Sequence, residues 1–297
     1  MDWTTRLSEA VGYIEDRLDG ALDIERAAEL ANCSLFHFCR MFEVVFGVSP
    51  AEYARRRRLS RAALDLAAGG DRVIDVAYRY GWDSPESFAK SFKRCFGITP
   101  SEARGRQVTL ETWPPIRLAV ILKGDASMKY RIVEKEAFEF VGVSFRTTQA
   151  DNENMRSIPS FWGTCSEKGI VKSLASRAGP LGMVGVCHDY RPSDNSFAYG
   201  VVIERPSCPI EELPSGCQTV RVPAATYAVF ESIGPMPDAI QETWRGIYSE
   251  WFPASAYEHA GTPDFESYPE QARPDIDDSS PEYRTEVWIP IKKKGAR

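Results

Sequence analysis

The sequence has only three histidines in 297 residues, His37, His188 and His259, and no cysteine pair at zinc-ligand spacing, so nothing in it calls for a metal. Cys33 and His37 stand four apart, but Cys33 falls in an expected turn, and both read as packing residues. The seven cysteines are odd in number and scattered. That excludes a disulfide framework and leaves reduced thiols. No apolar run approaches the ~18 residues a membrane span needs, and the opening MDWTTRLSEA has no apolar signal core. A cytoplasmic protein without a membrane partner, metal or cofactor is expected.

Excess positive charge is also missing. The formal net charge is −6, which argues against wholesale coating of nucleic acid. Its distribution is uneven: residues 1–110 carry 16 basic and 16 acidic side chains, the remainder 20 and 26. Within the neutral part, basic residues cluster at Arg55, Arg56, Arg57, Arg58 and Arg61 and again at Lys90, Lys93 and Arg94. Such clusters suit docking on phosphate, although four consecutive arginines cover every side of a helix and some must pair with acids or water.

What the sequence does have is a repeat. FGVSP at residues 46–50 returns as FGITP at 96–100, and Ile24, Ala27, Ser34, Phe38, Phe42 and Glu52 recur fifty residues later as Ile74, Ala77, Ser84, Phe88, Phe92 and Glu102. A constant offset marks a duplicated supersecondary unit. Each copy reads as a short helix with a small-residue face, a tight turn and a second helix, begun by Ser34 in the first copy and by Ser84-Pro85 in the second. Phe38, Met41, Phe42, Val45 and Phe46 form the inward stripe of the first such helix. Gly47 and Gly97 supply left-handed helix ends, and Ser49-Pro50-Ala51-Glu52 and Thr99-Pro100-Ser101-Glu102 each read as a capping box that starts the next helix. This is a helix-turn-helix written twice.

With the phenylalanines turned inward, Leu35, Phe36, Cys39 and Arg40 are the expected outer face of the first reading helix, with Glu43 beside them. Pro85, Glu86, Ala89, Lys90, Lys93 and Arg94 are their counterparts on the second. Arg40 and Lys90 hold equivalent positions, and arginine can grip a guanine edge with two hydrogen bonds. A connecting helix from Pro50 to about Ala67 would be roughly 27 Å long at ~1.5 Å per residue, which sets the two reading helices in successive major grooves of double-stranded DNA.

After Pro114-Pro115 and one expected strand near Leu118–Leu122, strand signals dominate: KYRIVEKEAFEFVGVSFRT, FAYGVVIE, TYAVFES and TEVWIPI, with helices near SIPSFWGTCSEKGI and DAIQETWRGIYSEWF. An α+β domain with an antiparallel sheet is expected. In RTEVWIPIKKK, alternation places Glu286 and Trp288 on one face. A carboxylate beside tryptophan, enclosed by Phe161, Trp162, Tyr199, Tyr227 and Tyr268, would receive a lipophilic cation.

These stretches also carry resemblances. DIERAAELANCS, SLFHFCRMF and VAYRYGWDSPESFAKSFKRCFGITPSEAR resemble the AraC/XylS type of DNA-binding domain. VPAATYAVFESIGP, QETWRGIYSEWFPASAYEHAGTPDFESYPE and TEVWIPIKK resemble a GyrI-like effector-binding domain, in an order similar to the Rob subgroup. Together they imply an all-α double helix-turn-helix DNA-binding domain at 1–106, a linker at 107–127 and a GyrI-like small-molecule-binding domain at 128–297. The implied protein is a ligand-responsive transcription regulator, not an enzyme, with promoter DNA, a small-molecule effector and RNA polymerase as partners. The resemblance carries Glu286 over as the acidic residue of a central aromatic cleft. Some stand-alone GyrI-like proteins are hydrolases, so the alternative is hydrolysis of a reactive lipophilic compound, with Glu286 as general base.

Overall fold

A computed structural model describes residues 3–33, 35–104, 110–116, 128–148, 153–191, 196–269 and 277–294. The expected strand at 118–122 and the Ser34 cap lie outside the described residues. The chain divides into two compact units: residues 1–32 with 48–121, and residues 33–47 with 122–297. Residues 33–47, expected within the DNA-binding domain, thus group with the second unit.

The first unit holds helices α1 (Trp3–Glu15), α2 (Ile24–Leu30), α4 (Pro50–Ala68), α5 (Val73–Arg79), α6 (Pro85–Phe96) and α7 (Pro100–Ala103). The local chemistry is largely the expected one. Ser84 caps α6 by accepting from the Ser87 amide, Gly97 ends it at φ 76°, and Thr99 and Glu102 close a full capping box at α7. At α4 only half of the box forms. Ser49 accepts from the Glu52 amide, but the Glu52 carboxylate turns to Arg55 and Arg56 at 2.7 and 2.6 Å. A charged pair competes better for a carboxylate than a lone backbone N–H.

The arginine run therefore braces the unit. Arg57 is buried and bonds Glu15 at 2.8 Å, while Arg58 donates to the carbonyls of Leu18 and Gly20 at 2.9 and 2.7 Å. All four of these side chains are paired within the protein. The core of the unit joins Leu59, Ala62, Ala63 and Leu66 of α4 to Val76, Ala77, Phe88 and Phe92.

Among the described residues the second unit contains α3 (Leu35–Phe46) and nine strands: β1 (Tyr130–Lys135), β2 (Phe138–Thr148), β3 (Met183–Arg191), β4 (Ser196–Glu204), β5 (Gln218–Val222), β6 (Ala225–Ile233), β7 (Tyr257–His259), β8 (Phe265–Tyr268) and β9 (Arg284–Lys293). They form one sheet in the order β1-β6-β9-β8-β3-β4-β2-β5, with β7 on β9, and every paired strand runs antiparallel to its neighbour. Helices α8 (Glu153–Glu167), α9 (Ile170–Ala175), α10 (Asp238–Gly246) and α11 (Phe252–Ala254) complete it, a π-helical stretch over Ile247–Trp251 joining the last two.

Side chains alternate across a strand, so register decides which face each one meets. One face gathers Phe140, Val184, Val186, Val202, Tyr227, Phe265 and Trp288 into a core, with Phe265 stacked 5.3 Å from Trp288. The opposite face carries Tyr199, Gly185, Glu266 and Tyr268, and receives Trp162 from α8 and Trp244 from α10.

Candidate effector and DNA-reading sites

Phe265 pairs with Trp288 and Ser267 with Glu286, so Glu286 and Trp288 share the core face, as strand alternation requires. Glu266 pairs with Val287 and faces the other way. Glu286 binds Arg131 at 2.8 Å and accepts the Trp288 indole N–H at 3.0 Å. Of the five aromatics expected around it, only Tyr227 is on that face, 5.7 Å from Trp288. Trp162, Tyr199 and Tyr268 gather on the opposite face, while Phe161 lies against Phe145 at 4.3 Å.

The carboxylate these rings surround is Glu266. Its Oε1 accepts from Trp244 Nε1 at 2.7 Å, and its Oε2 accepts from Tyr268 Oη at 2.7 Å. Beside them Trp162, 5.5 Å from the Tyr268 ring, donates from Nε1 to Tyr199 Oη at 2.9 Å. The close packing of Tyr199 depends on a missing side chain. A Cβ at Gly185 would collide with the Tyr199 hydroxyl, so only glycine leaves room for that oxygen. Burial, followed by the nearby Glu266 charge, pushes the Tyr199 and Tyr268 phenols well above their usual range, so both are neutral, Tyr268 donating to Glu266 and Tyr199 accepting from Trp162.

Glu266 was missed in the sequence although its signal was present. FESY places Glu266 and Tyr268 two apart, the same spacing as Glu286 and Trp288, and in each pair the aromatic donates to the carboxylate. Which pair the helices cover is a matter of register, invisible in either strand alone.

The site is already occupied by a side chain of this protein. Arg40 of α3 donates from Nη1 to Asp264 Oδ1 at 2.8 Å and from Nη2 to Glu266 Oε1 at 3.1 Å. Its guanidinium lies 3.7 Å from the Trp244 ring centroid. Asp264 is 1% exposed. Burial opposes its ionisation, but the Arg40 charge and then His259 outweigh that and hold its pKa down to about 2.

Trp244, Tyr248 and Phe252 step four residues at a time and stack at 5.8 and 5.7 Å, forming a ladder of rings. Arg40 covers the first rung, and His37, one turn away on α3, lies 5.4 Å from the second. His37 is also stacked 3.6 Å from His259. Burial, and then the neighbouring His259 and Arg40, lower its pKa well below 6.5, so it is neutral.

His37, His259 and Asp264 are the one group of metal-ligating composition among the described residues. The Gly261 amide donates to His259 Nδ1, which puts the His259 proton on Nε2, 3.7 Å from Asp264 Oδ2. The adjoining guanidinium already supplies the positive charge that Asp264 takes.

Helices α3 and α6 thus present different outer faces. On α6, Glu86, Lys90, Lys93 and Arg94 are exposed and Pro85 and Ala89 half-buried, as expected of a solvent-facing surface. On α3, Leu35 is half-buried, the Phe36 side chain lies outside those described, and Cys39 is buried rather than outward. Glu43 accepts from Asn154 at 3.4 Å. Hence α3, as it lies in the second unit, turns Cys39, Arg40 and Glu43 toward protein.

Comparison with known proteins agrees with both halves. Residues 131–291 match the family model for integron-associated effector-binding proteins, and residues 27–106 match a helix-turn-helix domain. The transposon Tn10 TetD protein of Escherichia coli is 37% identical over 101 residues, 34% of this chain and 73% of that protein. The right origin-binding protein of Escherichia coli K12 is 30% identical over 165 residues, 54% of each chain. Among solved structures, SAV2435 bound to tetraphenylphosphonium superposes at a TM-score of 0.46 with 23% identity, over 56% of this chain and 94% of that one. The chain belongs to the AraC-type transcription regulators that carry an integron-associated, GyrI-like effector-binding domain.

Proposed function

We propose that this is a cytoplasmic, ligand-responsive regulator in which residues 1–106 read double-stranded promoter DNA through α3 and α6 and residues 128–297 bind a lipophilic cation at Glu266. The observation that carries the reading is the half-buried Glu266 carboxylate, fixed by Trp244 and Tyr268 and lined by Trp162 and Tyr199. A fixed carboxylate among aromatic faces favours a cation twice, through its charge and through the ring quadrupoles. Binding rather than turnover fits this arrangement, and the relatives matched include the transcriptional activator AarP of Providencia stuartii and the transcriptional regulator Rob of Salmonella typhimurium. RNA polymerase is the natural partner of a promoter-bound regulator.

The test uses the full chain and a DNA sequence selected from a random pool, with gel-shift affinity measured with and without a panel of lipophilic cations. A cation should change DNA affinity in the wild type and have no effect on Glu266→Gln. An unchanged response in Glu266→Gln would move the ligand elsewhere, with Glu286 next to be replaced.

A further inference from the structure

Two carboxylates and one arginine meet under α3, and the arginine belongs to a helix whose repeat partner keeps its own cation in solvent. We propose that Arg40 is a tethered stand-in for the effector: the ligand is a flat, N–H-bearing cation of the amidine or guanidine class that takes the place of Arg40 and thereby releases the outer face of α3 for DNA. This rests on the reading of Glu266 as the effector carboxylate.

The geometry specifies the ligand class. Asp264 and Glu266 each accept one N–H from neighbouring nitrogens of a single planar group, and that plane lies 3.7 Å from the centroid of Trp244. A planar cation with two divergent N–H donors satisfies both carboxylates and the ring together. A phosphonium or quaternary ammonium brings the charge but no donor. It takes the N–H donor from Asp264 Oδ1, in a residue 1% exposed, and leaves Glu266 Oε1 with the Trp244 N–H alone.

The geometry also specifies the coupling. Arg40 and an incoming amidine need the same two oxygens and the same ring face, so the two are mutually exclusive. The helix cannot keep its place by Arg40 once the ligand is in. Cys39 and Glu43, on the same side of α3 as Arg40, are held in the same docked arrangement. Apparent ligand affinity is then reduced by the fraction of time Arg40 is bound, and a helix docked for about nine tenths of the time costs about tenfold in affinity.

The experiment titrates the full chain with benzamidine, with its neutral isostere benzamide and with tetraphenylphosphonium, following tryptophan fluorescence for binding and hydrogen exchange of residues 35–46 for the state of α3. Benzamidine should bind saturably and speed exchange across α3, benzamide should do neither, and tetraphenylphosphonium should bind at least about tenfold more weakly than benzamidine. Arg40→Met keeps the apolar stem over Trp244, removes the competing charge and should tighten benzamidine by about tenfold. If that variant folds poorly, Arg40→Met with Asp264→Asn removes one charge of each sign, and the exchange measurement on the wild type stands independently of both.

Benzamidine binding that is lost in Glu266→Gln but no tighter in Arg40→Met, with α3 exchange unchanged, overturns the stand-in and leaves the effector site intact. Tetraphenylphosphonium binding as tightly as benzamidine overturns the ligand class. No cation binding to the wild type or to Arg40→Met removes the effector reading itself.

Discussion

Helices α3 and α6 are two copies of one sequence pattern, and they agree inside while differing outside. Phe38, Phe42 and Phe46 follow one another at 5.6 and 4.5 Å, and Phe88, Phe92 and Phe96 at 5.5 and 4.7 Å. The inner stripe is thus reproduced to within about 0.2 Å. On the outer side, Lys90 is exposed while its equivalent Arg40 bridges two carboxylates more than 200 residues away in sequence. Local pattern fixes the face that a helix must bury, and long-range partners decide the use of the other.

Asp264 is a partner that α3 has and α6 lacks. Asp264→Ala leaves Arg40 without its closest carboxylate in a desolvated place, and should cost about 3–5 kcal/mol of unfolding free energy for the second unit, read by urea denaturation. A loss below about 1 kcal/mol would mean that water reaches the pair and that α3 is not held by charge.

Gly185→Ala sets a methyl against the Tyr199 hydroxyl and should cost about 1–3 kcal/mol, with ligand binding weakened through displacement of Tyr199. A neutral effect on both would show that Tyr199 swings aside freely and contributes nothing to the shape of the site.

How much of this was legible follows the same division between local and long-range. The repeat, the caps at Ser84 and Thr99, the glycine helix ends and the phenylalanine stripes lie within a few residues of their partners, so spacing revealed them. The antiparallel sheet was legible because period-two alternation is local as well. The cleft carboxylate was not. Glu266 and Glu286 sit in strands of the same grammar, and only the pairing of β8 with β9 puts one on the helix side and the other on the core side. The arginine run is a similar case: pairing of some members with acids was expected, but that Arg57 finds Glu15 42 residues upstream was not legible.

The two helices also differ in the titratable groups they carry. His37 is on α3, facing Tyr248, Phe252 and His259 with Asp264 and Arg40 adjoining, and α6 has no histidine. Its pKa in the docked state is below the ordinary 6.5. Between those two values an undocked His37 takes up a proton that a docked one refuses. Docking is therefore fully stable above pH 6.5 and weakens as pH falls, by at most about 1.4 kcal/mol per unit. Asp264, at about 2, stays charged over this range. Hydrogen exchange, corrected for its intrinsic pH dependence, should speed up across α3 between pH 7.5 and 5.5 and hold steady across α6. Parallel behaviour of the two helices would assign the effect to general loosening.

The smallest expected effect on stability carries the most information about reading. Lys90→Ala removes an exposed side chain and should change unfolding free energy by less than about 0.5 kcal/mol. Its effect on DNA should be clear all the same, and salt separates the two ways it can arise. A phosphate contact weakens binding to all sequences alike and lowers the slope of log affinity against log salt by about one, whereas a base contact weakens the selected sequence alone by about 1–3 kcal/mol. The same measurement on Arg40→Ala is informative only after α3 has been released, because in the docked arrangement that side chain is bound to protein. A loss of DNA affinity from Lys90→Ala without ligand, and from Arg40→Ala only with it, is the pattern expected of one constitutive and one conditional reading helix. Equal losses in the absence of ligand would show that α3 reads DNA without leave from the Glu266 site.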